Sequence, residues 1–92
     1  MFFEWNPKKA AINKAKHGVD FEEAKEVFYD PNSVILPNEE NSWDEERIKI
    51  LGASSQRLLL VVFVEKFEDS FRIISAREPN KNEKRIYYEG LL

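Results

Sequence analysis

The run Leu58-Leu59-Leu60-Val61-Val62-Phe63-Val64 limits most strongly what this chain can become. Seven consecutive apolar residues leave no polar face. As a strand the segment must be covered on both sides, which places it at the centre of a sheet. Its neighbours follow from what flanks it. Glu46-Arg47-Ile48-Lys49-Ile50-Leu51 alternates, so the strand Glu46 to Ala53 turns one face to a core and the other to solvent. Leu58 to Lys66 and Ser70 to Ala76 are the next two strands. The joints Ser54-Ser55-Gln56 and Phe67-Glu68-Asp69 are short, which predicts an antiparallel meander. Ser33 to Pro37 is a fourth strand, kept at an edge by Pro37. Asn38 to Asp44 is a polar loop, and Phe2 to Trp5 has the pattern of a short strand.

Three helix starts are written in side-chain chemistry. Asn6-Pro7 places a capping amide before a proline at the first helical position. That helix runs from Pro7 to about Lys16, with His17 in its last turn and Gly18 as a left-handed stop. Asp20 with Glu23 reads as a capping box, and Val19 with Ala24 as a hydrophobic staple. Phe21, Ala24, Val27 and Phe28 then repeat at helical spacing until Asp30-Pro31 ends the segment. Asn80 with Glu83 is a second box, opening a helix that ends near Gly90. Ile86 is its clearest apolar anchor, with Tyr87 or Tyr88 beside it. The expected fold is α+β: two N-terminal helices packed on a mostly antiparallel four-stranded sheet, with a C-terminal helix, forming a single domain over residues 1–92.

Composition narrows the function. With 42% hydrophobic and 34% charged residues the chain is globular. No cysteine and one histidine exclude disulfides, thiolate metal sites and multi-histidine zinc sites. No apolar run approaches the length of a membrane span, and the acidic Met1-Phe2-Phe3-Glu4-Trp5 does not resemble a signal peptide, so a cytoplasmic protein is expected. The net charge of -3 is unusual for a nucleic-acid binder. The charge is uneven, however. Glu39, Glu40, Asp44, Glu45 and Glu46 form an acidic block, and Lys81, Lys84 and Arg85 a basic one. Any nucleic-acid role must rest on a local basic pocket; alternatively, the acidic surface meets a basic protein partner.

One ordered set of motifs carries more information than any of its members. It comprises Phe3-Glu4-Trp5-Asn6-Pro7, Lys16-His17-Gly18-Val19, Phe21-Glu22-Glu23-Ala24, Asp30-Pro31, Glu45-Glu46-Arg47, Gly52 and Arg72-Ile73-Ile74-Ser75-Ala76-Arg77. With these in order from Phe3 to about Tyr88, the chain resembles the BrnT family. The resemblance implies a toxin of a type II toxin–antitoxin pair with a RelE-like ribonuclease fold. It also implies a partner, a BrnA-like DNA-binding antitoxin that neutralises the toxin and represses their shared operon. Contact with DNA would then be indirect, through the antitoxin, and no membrane is involved. The implied chemistry is RNA cleavage without metal or other cofactor, leading to inhibition of translation.

Such cleavage sends the RNA 2′-hydroxyl against its own neighbouring phosphate. It needs a base, an acid and cations for the charge that builds on phosphorus. Arg72 and Arg77 suit the cationic role, because a guanidinium donates two parallel bonds to phosphate oxygens. Their opposite parity on the strand lets both face one pocket only if the chain turns after Ala76. Arg47 shares the exposed face of its own strand with Lys49 and can join them. Lys16 and His17 are candidates for proton transfer, and Glu46 is a third candidate base.

Each residue also has a plain reading. Lys16-His17 before Gly18 can be dipole compensation at a helix end. Arg72 and Arg77 can be solvated strand residues, and Glu46 beside Arg47 a surface pair. Phe21, Phe28, Phe63 and Phe71 are core by default, while Trp43 in its polar loop is either a packing anchor or a binding contact. A competing function is a non-catalytic module that binds the antitoxin and tunes repression.

Overall fold

The structure, a computed structural model, describes residues 1–37 and 46–91. The elements in chain order are β1 (Phe2–Glu4), α1 (Pro7–His17), α2 (Phe21–Ala24) running into a 3-10 turn (Lys25–Tyr29), β2 (Val34–Leu36), β3 (Ile48–Ala53), β4 (Leu58–Glu65), β5 (Ser70–Arg77) and α3 (Lys81–Glu89). The sheet order is β1-β5-β4-β3-β2. The fold is α+β as expected, but the sheet has five strands and is mixed. β1 pairs in parallel with β5, through Phe2–Ser70, Phe3–Phe71 and Glu4–Arg72. Three residues carry too little pattern to announce a partner, and this pairing joins the two ends of the chain. The other ladders are antiparallel, with β4 central and β2 at the far edge. The polar loop 38–44, including Trp43, lies outside the described residues, as do Glu39, Glu40, Asp44 and Glu45 of the acidic block.

The two faces of β4 feed separate clusters, as its apolar run requires. Leu59, Val61 and Phe63 face Val19, Phe21, Ala24 and Val27 of the N-terminal helical layer. Phe3, Phe28, Phe63 and Phe71 extend that core as edge-on and tilted rings with centroids 4.8–6.0 Å apart. Leu60, on the opposite face, packs with Leu51 and Tyr87 under α3. Here the expected anchor is corrected: Tyr87 is 6% exposed and Ile86 38%. The Tyr87 hydroxyl decides the helix rotation, because it donates to Asp30 Oδ2 at 2.6 Å. Asp30 also accepts from the Ala53 amide at 2.8 Å and the Asn32 amide at 2.9 Å, so one carboxylate joins the 3-10 turn, β3 and α3. The turn presses close to β3, where a Cβ on Gly52 would stand 2.8 Å from Val27 Cγ1.

The helix ends separate local from long-range chemistry. Asn6 caps α1 by accepting from the amides of Lys8 and Lys9, and Gly18 ends it at φ 69°. Both halves of the Asn80–Glu83 box are present. The Asp20–Glu23 box is absent. Asp20 makes no side-chain cap and instead pairs with Lys14 at 3.1 Å. Glu23 turns inward to Arg57 and Ser54, 34 and 31 residues away in sequence. A bidentate guanidinium outcompetes a single backbone amide for this carboxylate.

Candidate functional site

The site begins with a break in β5. Its register against β4 passes from Val62–Ser75 to Phe63–Ile73, leaving Ile74 as an extra residue. This is a β-bulge, and it shifts the alternation of side chains by one. In-register partners share a face of the sheet. Ile73 and Ala76 therefore both face the helical layer, while Arg72 with Val64 and Arg77 with Leu60 both face the other side. The parity expectation is thereby corrected. Arg72 and Arg77 share a face because the strand carries a bulge between them, and the strand itself continues through Arg77.

Along that face, cross-strand rows form. One is Leu51–Leu60–Arg77, and the next is Lys49–Val62–Ser75. Continuing the β3–β4 register by one residue gives Arg47–Val64–Arg72, with Glu4 beyond. α3 packs over Leu51 and Leu60, at the other end of this face from Arg47 and Arg72.

α1 supplies the other wall. It carries four lysines and a histidine and no acidic residue. Its one buried side chain is Asn13, at 5% exposure. The Asn13 amide donates to the carbonyls of Val19 (3.1 Å) and Ala76 (2.9 Å) and accepts from the Ala76 amide (3.1 Å). It thus takes the place of a neighbouring strand where β1 has ended, and fastens α1 along β5. Two hollows lie in this seam. The larger, of about 200 Å³, is lined by Lys16, His17, Ile12 and Asn13 of α1 with Ser75. The smaller, of about 80 Å³, is lined by Arg47, Arg72, Ile73 and Asn6. Lys9 and Ile74 line both.

The seam thus brings together Lys16, His17, Arg47 and Arg72 from distant parts of the chain. Arg77 lies outside it. Its guanidinium closes on Glu83 of α3 with bonds of 2.9 and 3.1 Å and holds that carboxyl below the usual carboxylate range. Glu46 is exposed just ahead of β3 and lines neither hollow. Lys9 went unnoticed in the sequence, although it stands seven residues before Lys16 and so on the same helical face. Arg72, with its side chain 43% exposed, has a peculiarity of its own: its Nε is buried and makes no hydrogen bond, and the nearest carboxylate among the described residues is Glu4 Oε1 at 3.9 Å. Among the described residues no group of three or more histidine, cysteine or acidic side chains is placed to hold a metal ion, and no helix is long and apolar enough to cross a membrane.

A family model described as "Ribonuclease toxin, BrnT, of type II toxin-antitoxin system" matches residues 5–83. The chain belongs to the BrnT family of ribonuclease toxins. Its fold is similar to the crystal structure of the Brucella abortus ribonuclease toxin BrnT, with a TM-score of 0.66 over 88% of this chain and 100% of that one, at 21% identity. No curated protein matches the chain. The BrnT match starts at Trp5, just ahead of α1, and ends within the first turn of α3. The seam between α1 and β5 lies wholly inside it.

Proposed function

We propose that this BrnT-family chain cleaves RNA without metal, in the seam between α1 and β5. The attacking 2′-oxygen forms a bond to the adjacent phosphorus while the bond to the 5′-oxygen breaks. The products are a 2′,3′-cyclic phosphate and a 5′-hydroxyl end. Arg72, Arg47 and Lys9 hold the phosphate and offset the charge that develops on its oxygens. Lys16 and His17, on the adjoining rim, move the two protons: one from the 2′-hydroxyl, the other to the leaving oxygen. The single observation that carries this reading is the convergence of Arg72, Arg47 and Lys9 on one small hollow. A net negative chain can hold RNA if its cations are gathered in one place, and this seam gathers them. In the cell the activity is RelE-like, inhibiting translation in the cytoplasm, and is neutralised by a BrnA-like DNA-binding antitoxin through which alone the toxin meets DNA.

The test is cleavage of single-stranded RNA by purified protein with EDTA present. Wild type is expected to cut and to leave cyclic phosphate ends, while Arg72→Ala and Lys16→Ala, folded by circular dichroism, lose about 100-fold or more. Equal cutting by all three proteins would remove the site assignment, and no cutting by wild type would remove the ribonuclease reading.

A further inference from the structure

We propose that the larger hollow of the seam is a nucleobase subsite, so that the protein reads the base next to the phosphate it holds. This rests on the ribonuclease reading and deepens it. The two hollows differ in size and in chemistry. The larger hollow, at about 200 Å³, has about two and a half times the volume of the smaller, at about 80 Å³. The smaller, between two arginines and a lysine, matches a phosphoryl group. The larger is too roomy for that and is not walled by charge alone. Ile12, 65% exposed on α1, and Ile74, the bulged residue of β5, contribute apolar surface from opposite sides.

A flat heterocycle needs such surfaces. Bases are commonly bound by stacking on side chains and by hydrogen bonds to their edges. The polar groups available for an edge are few. The Asn13 amide already makes three hydrogen bonds to backbone. The Ser75 hydroxyl and the His17 imidazole are what remains beside the lysines. Lys9 and Ile74 belong to both hollows, so a base in one and a phosphate in the other are neighbours, as in a single nucleotide. The bulge is the device that makes this possible, because it turns the Ile74 side chain into the seam instead of leaving it paired within the ladder.

The experiment is an NMR titration of the full chain with ribose 5-phosphate and, separately, with the 5′-monophosphates of adenosine, guanosine, cytidine and uridine. At least one nucleotide is expected to bind tenfold or more tightly than ribose 5-phosphate and to shift the Ile12 and Ile74 methyl signals. Ile12→Ser, a change at an exposed position, should remove that tenfold gain and leave ribose 5-phosphate binding unchanged. Ser75→Ala should alter the ranking among the four bases. Equal affinity for ribose 5-phosphate and all four nucleotides overturns the subsite, as does a gain that survives Ile12→Ser. RNA cleavage without any base-dependent gain sinks the subsite and spares the ribonuclease reading. A base-dependent gain in a protein that cuts no RNA does the reverse.

Discussion

The two ends of one sheet face invite comparison, because each presents an arginine from β5 and the two have opposite surroundings. At the α3 end, Arg77 meets Glu83 in a bidentate pair, over a small apolar cluster of Leu51, Leu60 and Tyr87. At the other end, Arg72 meets Arg47 and Lys9 around a hollow, and its nearest carboxylate among the described residues, on Glu4, stands 3.9 Å away, too far for a hydrogen bond. The same side chain on the same strand is a structural rivet in one place and, in the proposed function, an anion receptor in the other. The difference lies in which charges the fold supplies within reach, since a guanidinium keeps its own charge in both settings.

The sharpest way to break this comparison is to exchange the loss. Arg72→Ala is expected to lower RNA cleavage by about 100-fold with little change in stability, whereas Arg77→Ala is expected to leave cleavage nearly intact and cost about 2 kcal/mol by urea denaturation. Equal effects of both on cleavage would erase the distinction.

The α3 end can be probed further through Asp30. Asp30→Ala leaves the Tyr87 hydroxyl and the Ala53 amide without their acceptor, and should cost about 3 kcal/mol by the same measurement. Tyr87→Phe removes one bond and keeps the ring, so about 1 kcal/mol is expected. At the seam end, Lys9→Ala should weaken binding of single-stranded RNA and flatten the log–log salt dependence by about 0.7. An unchanged slope would show that Lys9 does not meet a phosphate.

Acid should loosen the α3 end and its neighbours. The Arg77 bond holds Glu83 low, and the Arg57 bond does the same for Glu23 against the opposing effect of burial. For Asp30, burial pushes upward but is outweighed by the bonds from Tyr87, Ala53 and Asn32, so it too is lowered. Each carboxyl ionises at lower pH in the fold than in the unfolded chain. Their stabilisation is therefore complete above the ordinary values of 4.5 and 3.8 and is lost as pH falls through the depressed ones. Tyr87 behaves in the opposite sense. Burial and its bond to Asp30 raise its phenol from 10.0 to about 12, so its contribution persists at neutral pH and disappears as pH rises through about 12. Thermal melts across pH should show both edges, and tyrosine absorbance should show one phenol titrating near the upper one.

Local chemistry was the part of the fold readable in advance. Asn6, Gly18 and the Asn80–Glu83 box act within a few residues of themselves, and they delimit α1 and α3 as their side chains predict. The apolar run of β4 announced a strand buried on both faces. Reading ended where a distant partner intervened. Glu23 has the spacing of a cap and the location of a buried ion pair, at 9% exposure against Arg57. β1 is fixed by a parallel neighbour almost seventy residues away. In the seam, residue type pointed to Lys16, His17, Arg47 and Arg72, but it could not separate Arg72 from Arg77. Glu83 makes that separation, and nothing in the linear order near Arg77 shows that Glu83 folds back upon it.

The single surplus residue in β5 alters how spacing should be read in this protein. Five positions separate the two guanidinium groups, an odd interval that an unbroken pleat would send to opposite sides. Looping one residue out makes the interval behave as four. Deleting that residue would leave a true interval of four and keep both guanidinium groups on one side, at the loss of the Ile74 side chain from the seam. Drawing it into the ladder at unchanged length would instead drive one cation into the greasy layer beneath the helices, so a slip of register with no change of sequence would cost the fold or its chemistry.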